Sequence, residues 1–169
     1  MLLVILKIVS GGQTGVDQAS LRFADEMGLE LGGWCPNGGL DENMKDIREQ
    51  YPSLVEATTA NPDERTKLNI QDSDGTLIIV PSWPLPEKIK DGTLLTLQET
   101  KNLKKPYLII NLANAYQDIN VVQEWIENYN IQILNIAGPR ESSSPNIYQK
   151  TYEILFSMFN QMSPRISFN

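Results

Sequence analysis

The chain has 169 residues, 41% of them apolar, with a net charge of −7, one cysteine and no histidine; that is one domain's worth of material, long enough to bury a full core. An acidic balance with no Lys/Arg cluster argues against nonspecific affinity for nucleic acid or an anionic membrane, so any bound anion must be held locally. The missing histidine excludes Ser-His and Cys-His catalysis and imidazole metal sites, and the lone Cys35 excludes an intramolecular disulfide, fits a reducing compartment and is too little for a protein-only metal centre.

The first predicted element is a strand, Leu3–Val9, too short to span a membrane, interrupted by Lys7 and lacking a cleavage site, which points to a cytoplasmic protein. It breaks into Ser-Gly-Gly-Gln-Thr-Gly, Ser10–Gly15, and restarts as a helix marked by Val16, Ala19, Phe23 and Met27. Such a loop aims backbone N–H groups at an anion, although glycines serving a tight turn would look the same. Thr14 to Asp17 fits a capping box with Thr14 as N-cap. Alternatively Asp17 points into a cleft, where it would repel phosphate and accept hydrogen bonds from an amino-pyrimidine edge.

A second strand, Glu30–Trp34, runs into Cys35-Pro36; Trp34 reads as core packing and Cys35 as a buried thiol, since no histidine can activate it. Asn61-Pro62-Asp63-Glu64 starts a short helix with an N-cap, a first-position proline and a capping-box glutamate. Arg65, Asn69 and Asp72 follow as a polar stripe, a solvated face by default unless the helix begins at a binding rim, where Arg65 reaches a phosphate. Asp72 to Gly75 reads as a structural turn at the far end of the sheet.

The third strand, Thr76–Pro81, leads through a proline-rich loop to Asp91-Gly92-Thr93 and a helix over Leu94–Leu103, whose first amides form either a second anion site or an ordinary cap. The strand Pro106–Asn111 and a helix marked by Val121, Trp125 and Tyr129 come next, with Trp125 and Tyr129 expected in the core. The last strand, Gln132–Ile136, opens into Ala137-Gly138-Pro139-Arg140-Glu141-Ser142, where Arg140 supplies a planar donor set and the serines can cap the helix marked by Tyr148, Tyr152, Leu155 and Phe159. The bland reading of that loop is an Arg140–Glu141 surface pair.

Alternating strands and helices predict a single-domain α/β fold: a Rossmann-like, open, doubly wound, mostly parallel sheet of five or more strands with helices on both faces, spanning 1–160, with 161–169 as a tail. Ligands bind such sheets outside the carboxyl ends of the strands. The loops Ser10–Gly15, Cys35–Gly39, Ser82–Thr93, Leu112–Tyr116 and Ala137–Ser144 are therefore expected at one rim. On this reading Gly11, Gly12, Gln13, Thr14 and Gly15 cradle a phosphate, and Arg65 and Arg140 neutralise it. Gly92 and Thr93 add donors, Gly138 and Pro139 of the last loop belong to the same binding set, and Asn69, Glu141 and Ser142 orient the remaining polar atoms. No residue is assigned to catalysis or to a metal. A purely structural or protein-interaction module would instead present an apolar surface around Trp83, Trp125 or Tyr129.

The chain resembles the molybdenum-cofactor carrier family, in the Rossmann-like superfamily that also holds the lysine-decarboxylase-like (LOG) phosphoribohydrolases. The similarity runs through Ser10 to Asp17, Gly33 to Pro36, Glu64 to Thr66 with Asn69, Asp72 to Thr76, Gly92-Thr93 and Asn135 to Ser142. It implies a homo-oligomer, dimer or tetramer, that binds and protects the phosphorylated pterin of molybdenum cofactor. Two departures bear on the ligand: Asn37-Gly-Gly-Leu-Asp41 stands where relatives often carry basic residues, and Asp91 where they commonly show glycine. The alternative cargo is a nucleotide, sensed or hydrolysed as a nucleoside monophosphate. Hydrolase relatives use an arginine, matched by Arg65, and a glutamate three residues after Gly-Thr, which here is Thr96, with Glu99 one turn further on.

Overall fold

The computed structural model describes residues 5–115 and 119–162. Five strands form one parallel sheet in the order β2-β1-β7-β5-β6: β1 is Lys7–Val9, β2 Glu30–Gly32, β5 Gly75–Val80, β6 Tyr107–Asn111 and β7 Ile133–Ala137. β3, Trp34–Cys35, and β4, Val55–Glu56, make a separate parallel pair. Every residue of β5 is buried, as expected of a strand covered on both faces. The fold is the Rossmann-like α/β domain that the alternation of elements implies.

One face is covered by α1 (Val16–Glu26), α5 (Ile119–Asn128) and α6 (Ile147–Met162). Phe23 of α1 meets Phe159 of α6 with ring centroids 4.9 Å apart, over a core that includes Ile8, Leu77, Ile79, Leu134 and Ile136 of the sheet. The other face carries α3 (Pro62–Gln71) and α4 (Thr93–Asn102), which pack on one another. Its interior is more polar: Thr93, Thr96 and Thr100 of α4 are buried, and buried Asn135 donates to the Thr76 hydroxyl at 3.2 Å. A smaller apolar cluster of Leu21, Cys35, Ile47, Tyr51 and Leu54 seats the short α2, Ile47–Gln50. Among the described residues no helix is long and apolar enough to cross a membrane.

Several expected boundaries move. The second strand is divided at Gly33, whose φ of +122° is a backbone state that side chains rarely adopt. A Cβ there would lie 2.3 Å from the Ser10 carbonyl oxygen, so only glycine allows the chain to leave β2 and pair β3 with β4. The N-cap of α1 is Gly15, not Thr14, and no side chain among the described residues caps that helix. In α5 the buried set is Ile119, Val122, Trp125 and Ile126, whereas Val121 and Tyr129 are exposed: the apolar stripe is rotated from the one the aromatic spacing implied. Trp83 is also exposed. Of the expected first strand, Leu3 and Val4 lie outside the described residues, as does Tyr116. α6 continues to Met162, and the remainder of the expected tail also lies outside them.

Candidate functional site

β7 lies between β1 and β5, while β1 leads outward to β2 and β5 outward to β6, so the connections diverge above β7. A crevice at such a point is where open α/β sheets bind ligands. The cleft found there has a volume of about 310 Å3 including its open mouth. It is lined by Gln13 and Asp17 after β1, Arg65 and Thr66 of α3, Asp91, Gly92 and Thr96 at the start of α4, Ala137 at the end of β7, and Gly138 and Arg140 after it.

Arg65 crosses the floor. Its Nη1 lies 3.2 Å from Asp17 Oδ2, the two side chains being 13% and 4% exposed, and the guanidinium lies against Gly11, where a Cβ would be 1.7 Å from Nη1. Its buried Nε has no hydrogen-bond partner among the described residues. Asp17 also accepts from the Gln13 N–H at 3.2 Å, which replaces the expected capping box. Burial pushes the Asp17 carboxyl above its usual range, against the opposing pull of Arg65 and the Gln13 amide, and the Asp91 carboxylate adds to the rise.

The loops at the rim are stitched together by carboxylates. Asp91 accepts from the Thr93 N–H and hydroxyl through Oδ1, and from the Arg140 N–H at 3.0 Å through Oδ2, joining the start of α4 to the β7–α6 loop. Glu42 accepts from the Thr14 hydroxyl and from both the N–H, at 3.1 Å, and the hydroxyl of Ser142, and Arg140 Nη1 stands 4.0 Å from it. Burial raises the Glu42 pKa, but the hydrogen bonds from Ser142 and Thr14 and the charge of Arg140 outweigh it and hold the carboxyl below the usual range. Glu141 turns away from the cleft and accepts from the Asn146 and Tyr148 amides at the start of α6.

Residues 8–159 match the sequence model of the circularly permutated YpsA SLOG family. The chain belongs to that family. The SLOG group is LOG-like, in keeping with the superfamily the motifs resemble. A crystal structure of a proposed molybdenum carrier protein from Syntrophus aciditrophicus SB is 40% identical to this SLOG chain, with a TM-score of 0.85 over 94% of this chain and 97% of that one. No curated protein matches it.

Within the SLOG chain, Gln13, Arg65, Gly92, Gly138 and Arg140 line one cleft, with Gly11 beneath Arg65. Thr14 and Ser142 meet on Glu42 beside it, and Glu141 donates its N–H to the Thr14 hydroxyl at 3.2 Å. Gly12 and Gly15 have positive φ and tight surroundings: a Cβ would lie 2.4 Å from the Ile47 side chain and from the Pro139 carbonyl oxygen, respectively. That Pro139 carbonyl accepts from the Val16 N–H at 3.2 Å. Thr93 spends its hydroxyl on Asp91.

Asn69 is placed elsewhere. It is buried, accepts from the Trp34 N–H at 2.8 Å and donates to the Trp34 carbonyl at 3.0 Å, while Asp72 accepts from the Trp34 indole at 2.8 Å. The polar stripe of α3 therefore splits, with Arg65 at the cleft and its other two members clamping β3. Sequence reasoning missed Glu42, one residue beyond the Asn37–Asp41 stretch it singled out, and the tie made by the Asp91 carboxylate. Cys35 is fully buried and its thiol is pushed up by burial, the reverse of an activated nucleophile.

Proposed function

We propose that this chain is a binding and carrier protein for a phosphorylated pterin-type ligand, with molybdenum cofactor as cargo. The observation that carries the reading is the convergence of Arg65 and Arg140, from separate elements, on one cleft at the switch point of the sheet, with Arg65 Nε buried and unpartnered. An anionic group accepting from that donor would remove a costly unpaired polar atom. A second pocket of about 590 Å3 is lined by residues that include Thr14, Gln18, Asn43, Glu141, Asn146 and Gln149, of which Thr14 and Glu141 are chain neighbours of the cleft residues Gln13 and Arg140. Its amide-rich wall suits the donor and acceptor edge of a heterocycle. The molybdenum carrier name on the Syntrophus aciditrophicus relative supports the same ligand class.

The test is native mass spectrometry on protein purified gently and anaerobically from its own host, with molybdenum analysis and the subunit count. A pterin-plus-metal mass on a homo-oligomer is the expected result; a metal-free nucleotide, or no binding when either class is added, refutes it. Arg140→Ala is expected to weaken an anionic ligand about tenfold or more with little loss of stability. The tie to Asp91 uses the Arg140 backbone N–H, which alanine keeps. A nucleoside-monophosphate hydrolase is the second reading, favoured by one observation: Asp17 and Asp91 place carboxylates in the cleft despite Thr96 at the expected glutamate position. Against it, Thr96 donates its hydroxyl to the Gly92 carbonyl and Asp17 is engaged by Arg65. Release of free base from a nucleoside monophosphate would decide for hydrolysis.

A further inference from the structure

Glu42 has the partners that a bound oxyanion would have. Two hydroxyls and a backbone N–H from the loops after β1 and β7 point at its carboxylate, a guanidinium stands beside it, and the side chain is 12% exposed. That donor set, with a positive charge at one side, is the kind that phosphate oxygens accept from. We infer that Glu42 is a built-in competitor: its carboxylate fills the seat that an oxyanion of the ligand takes, and the ligand enters by displacing it. This rests on the ligand-binding reading above and specifies how that site is regulated.

Two features separate a competitor from a simple clamp. First, the two rim loops are already joined without Glu42, through Glu141 N–H to Thr14 Oγ1 and Val16 N–H to Pro139 O. Second, the segment that carries Glu42 is anchored on either side of the carboxylate rather than by it. Gln13 Oε1 accepts from the Glu42 N–H at 2.8 Å, and Asp41 accepts from the amides of Asn43 and Lys45 and from Gln18 Nε2. The carboxylate can therefore swing out while its backbone stays, and the donors it releases lie on the two loops that bring Gln13 and Arg140 to the cleft. The cost of displacement sets a threshold: a ligand with one weak anionic group loses to Glu42, and one with a full phosphate charge wins.

The two roles predict opposite signs. Inorganic phosphate and a nucleoside monophosphate are titrated calorimetrically into the wild-type chain, Glu42→Gln and Arg140→Ala, with thermal midpoints confirming that each variant is folded. Glu42→Gln keeps the side-chain size and removes the charge, so it is expected to bind phosphate about tenfold more tightly or better. Glu42→Asp, which retracts the carboxylate by one methylene, should gain less and serves if the glutamine variant does not fold. Equal or weaker phosphate binding in Glu42→Gln, with Arg140→Ala weaker still, overturns the competitor and leaves the site standing. Unchanged affinity in Arg140→Ala overturns the site itself. A Glu42→Gln variant that takes up no phosphate also overturns the competitor.

Discussion

Replacing Asn69 by alanine tests whether this residue belongs to the ligand or to the fold. Its side chain closes two hydrogen bonds onto one backbone unit, from Trp34 N–H at 2.8 Å and to Trp34 O at 3.0 Å, and the residue is 3% exposed. Removing it strands a donor and an acceptor where α3 covers β3, at about 1–2 kcal/mol each, so the expected loss is about 3 kcal/mol. For a chain of this size that corresponds to a fall of about 6–12 °C in Tm. Urea unfolding followed by circular dichroism measures it, with the affinity for an anionic ligand recorded on the same preparation at a temperature where the variant is folded. A loss under about 1 kcal/mol, or weakened ligand binding at full stability, would refute the assignment of Asn69 to the β3 clamp.

Three further outcomes are expected. Gly138→Ala should destabilise by about 3 kcal/mol by chemical denaturation, because the added Cβ would lie 2.3 Å from the Ile79 carbonyl oxygen and 2.6 Å from Val16 Cγ2; Gly92→Ala, with open space at that position, should leave stability unchanged. The folded-state pKa of Glu42 lies below its ordinary value, so its contribution to stability is complete above the ordinary glutamate value of about 4.3 and is lost as pH falls through the folded value. The stability difference between wild type and Glu42→Gln should therefore be flat at neutral pH and change only under acid; a change between pH 6 and 8 would refute it. Cys35, buried with a raised pKa, should resist thiol reagents in the native chain and react on unfolding, as a colorimetric thiol assay will show.

Strands with continuous apolar runs were legible because burial on both faces leaves a compositional mark: β5, β6 and β7 begin and end within a residue of the expected bounds. The glycine loops and Arg140 were legible because small residues and a guanidinium group at the carboxyl ends of strands have few other uses, and Arg65 because it stands in the first turns of α3. Asn69 and Asp72 were visible as a stripe but their partner was not, since Trp34 lies 35 and 38 residues away. Glu42 left no signal at all: it sits in a polar loop without periodicity, and the hydroxyls it accepts from are 28 and 100 residues distant. Gly33 illustrates the remaining class, where one dihedral divides a run that hydrophobicity alone reads as continuous.

The last strand in sequence among the described residues is the middle strand in space, and this governs how the molecule can be assembled. Before β7 is made, β1 can pair only with β2 and β5 only with β6, so the facing edges of β1 and β5 have nothing to pair with until β7 arrives. Closing the sheet joins Val9 to Asn135, and Gly75 to Leu134, in a single step spanning much of the chain, the kind of distant pairing that slows folding. Because the candidate cleft is lined by Ala137, Gly138 and Arg140, at the end of β7 and beyond it, its wall is incomplete until β7 is in place. A nascent chain stalled before residue 133 would lack β7 and leave the facing edges of β1 and β5 open.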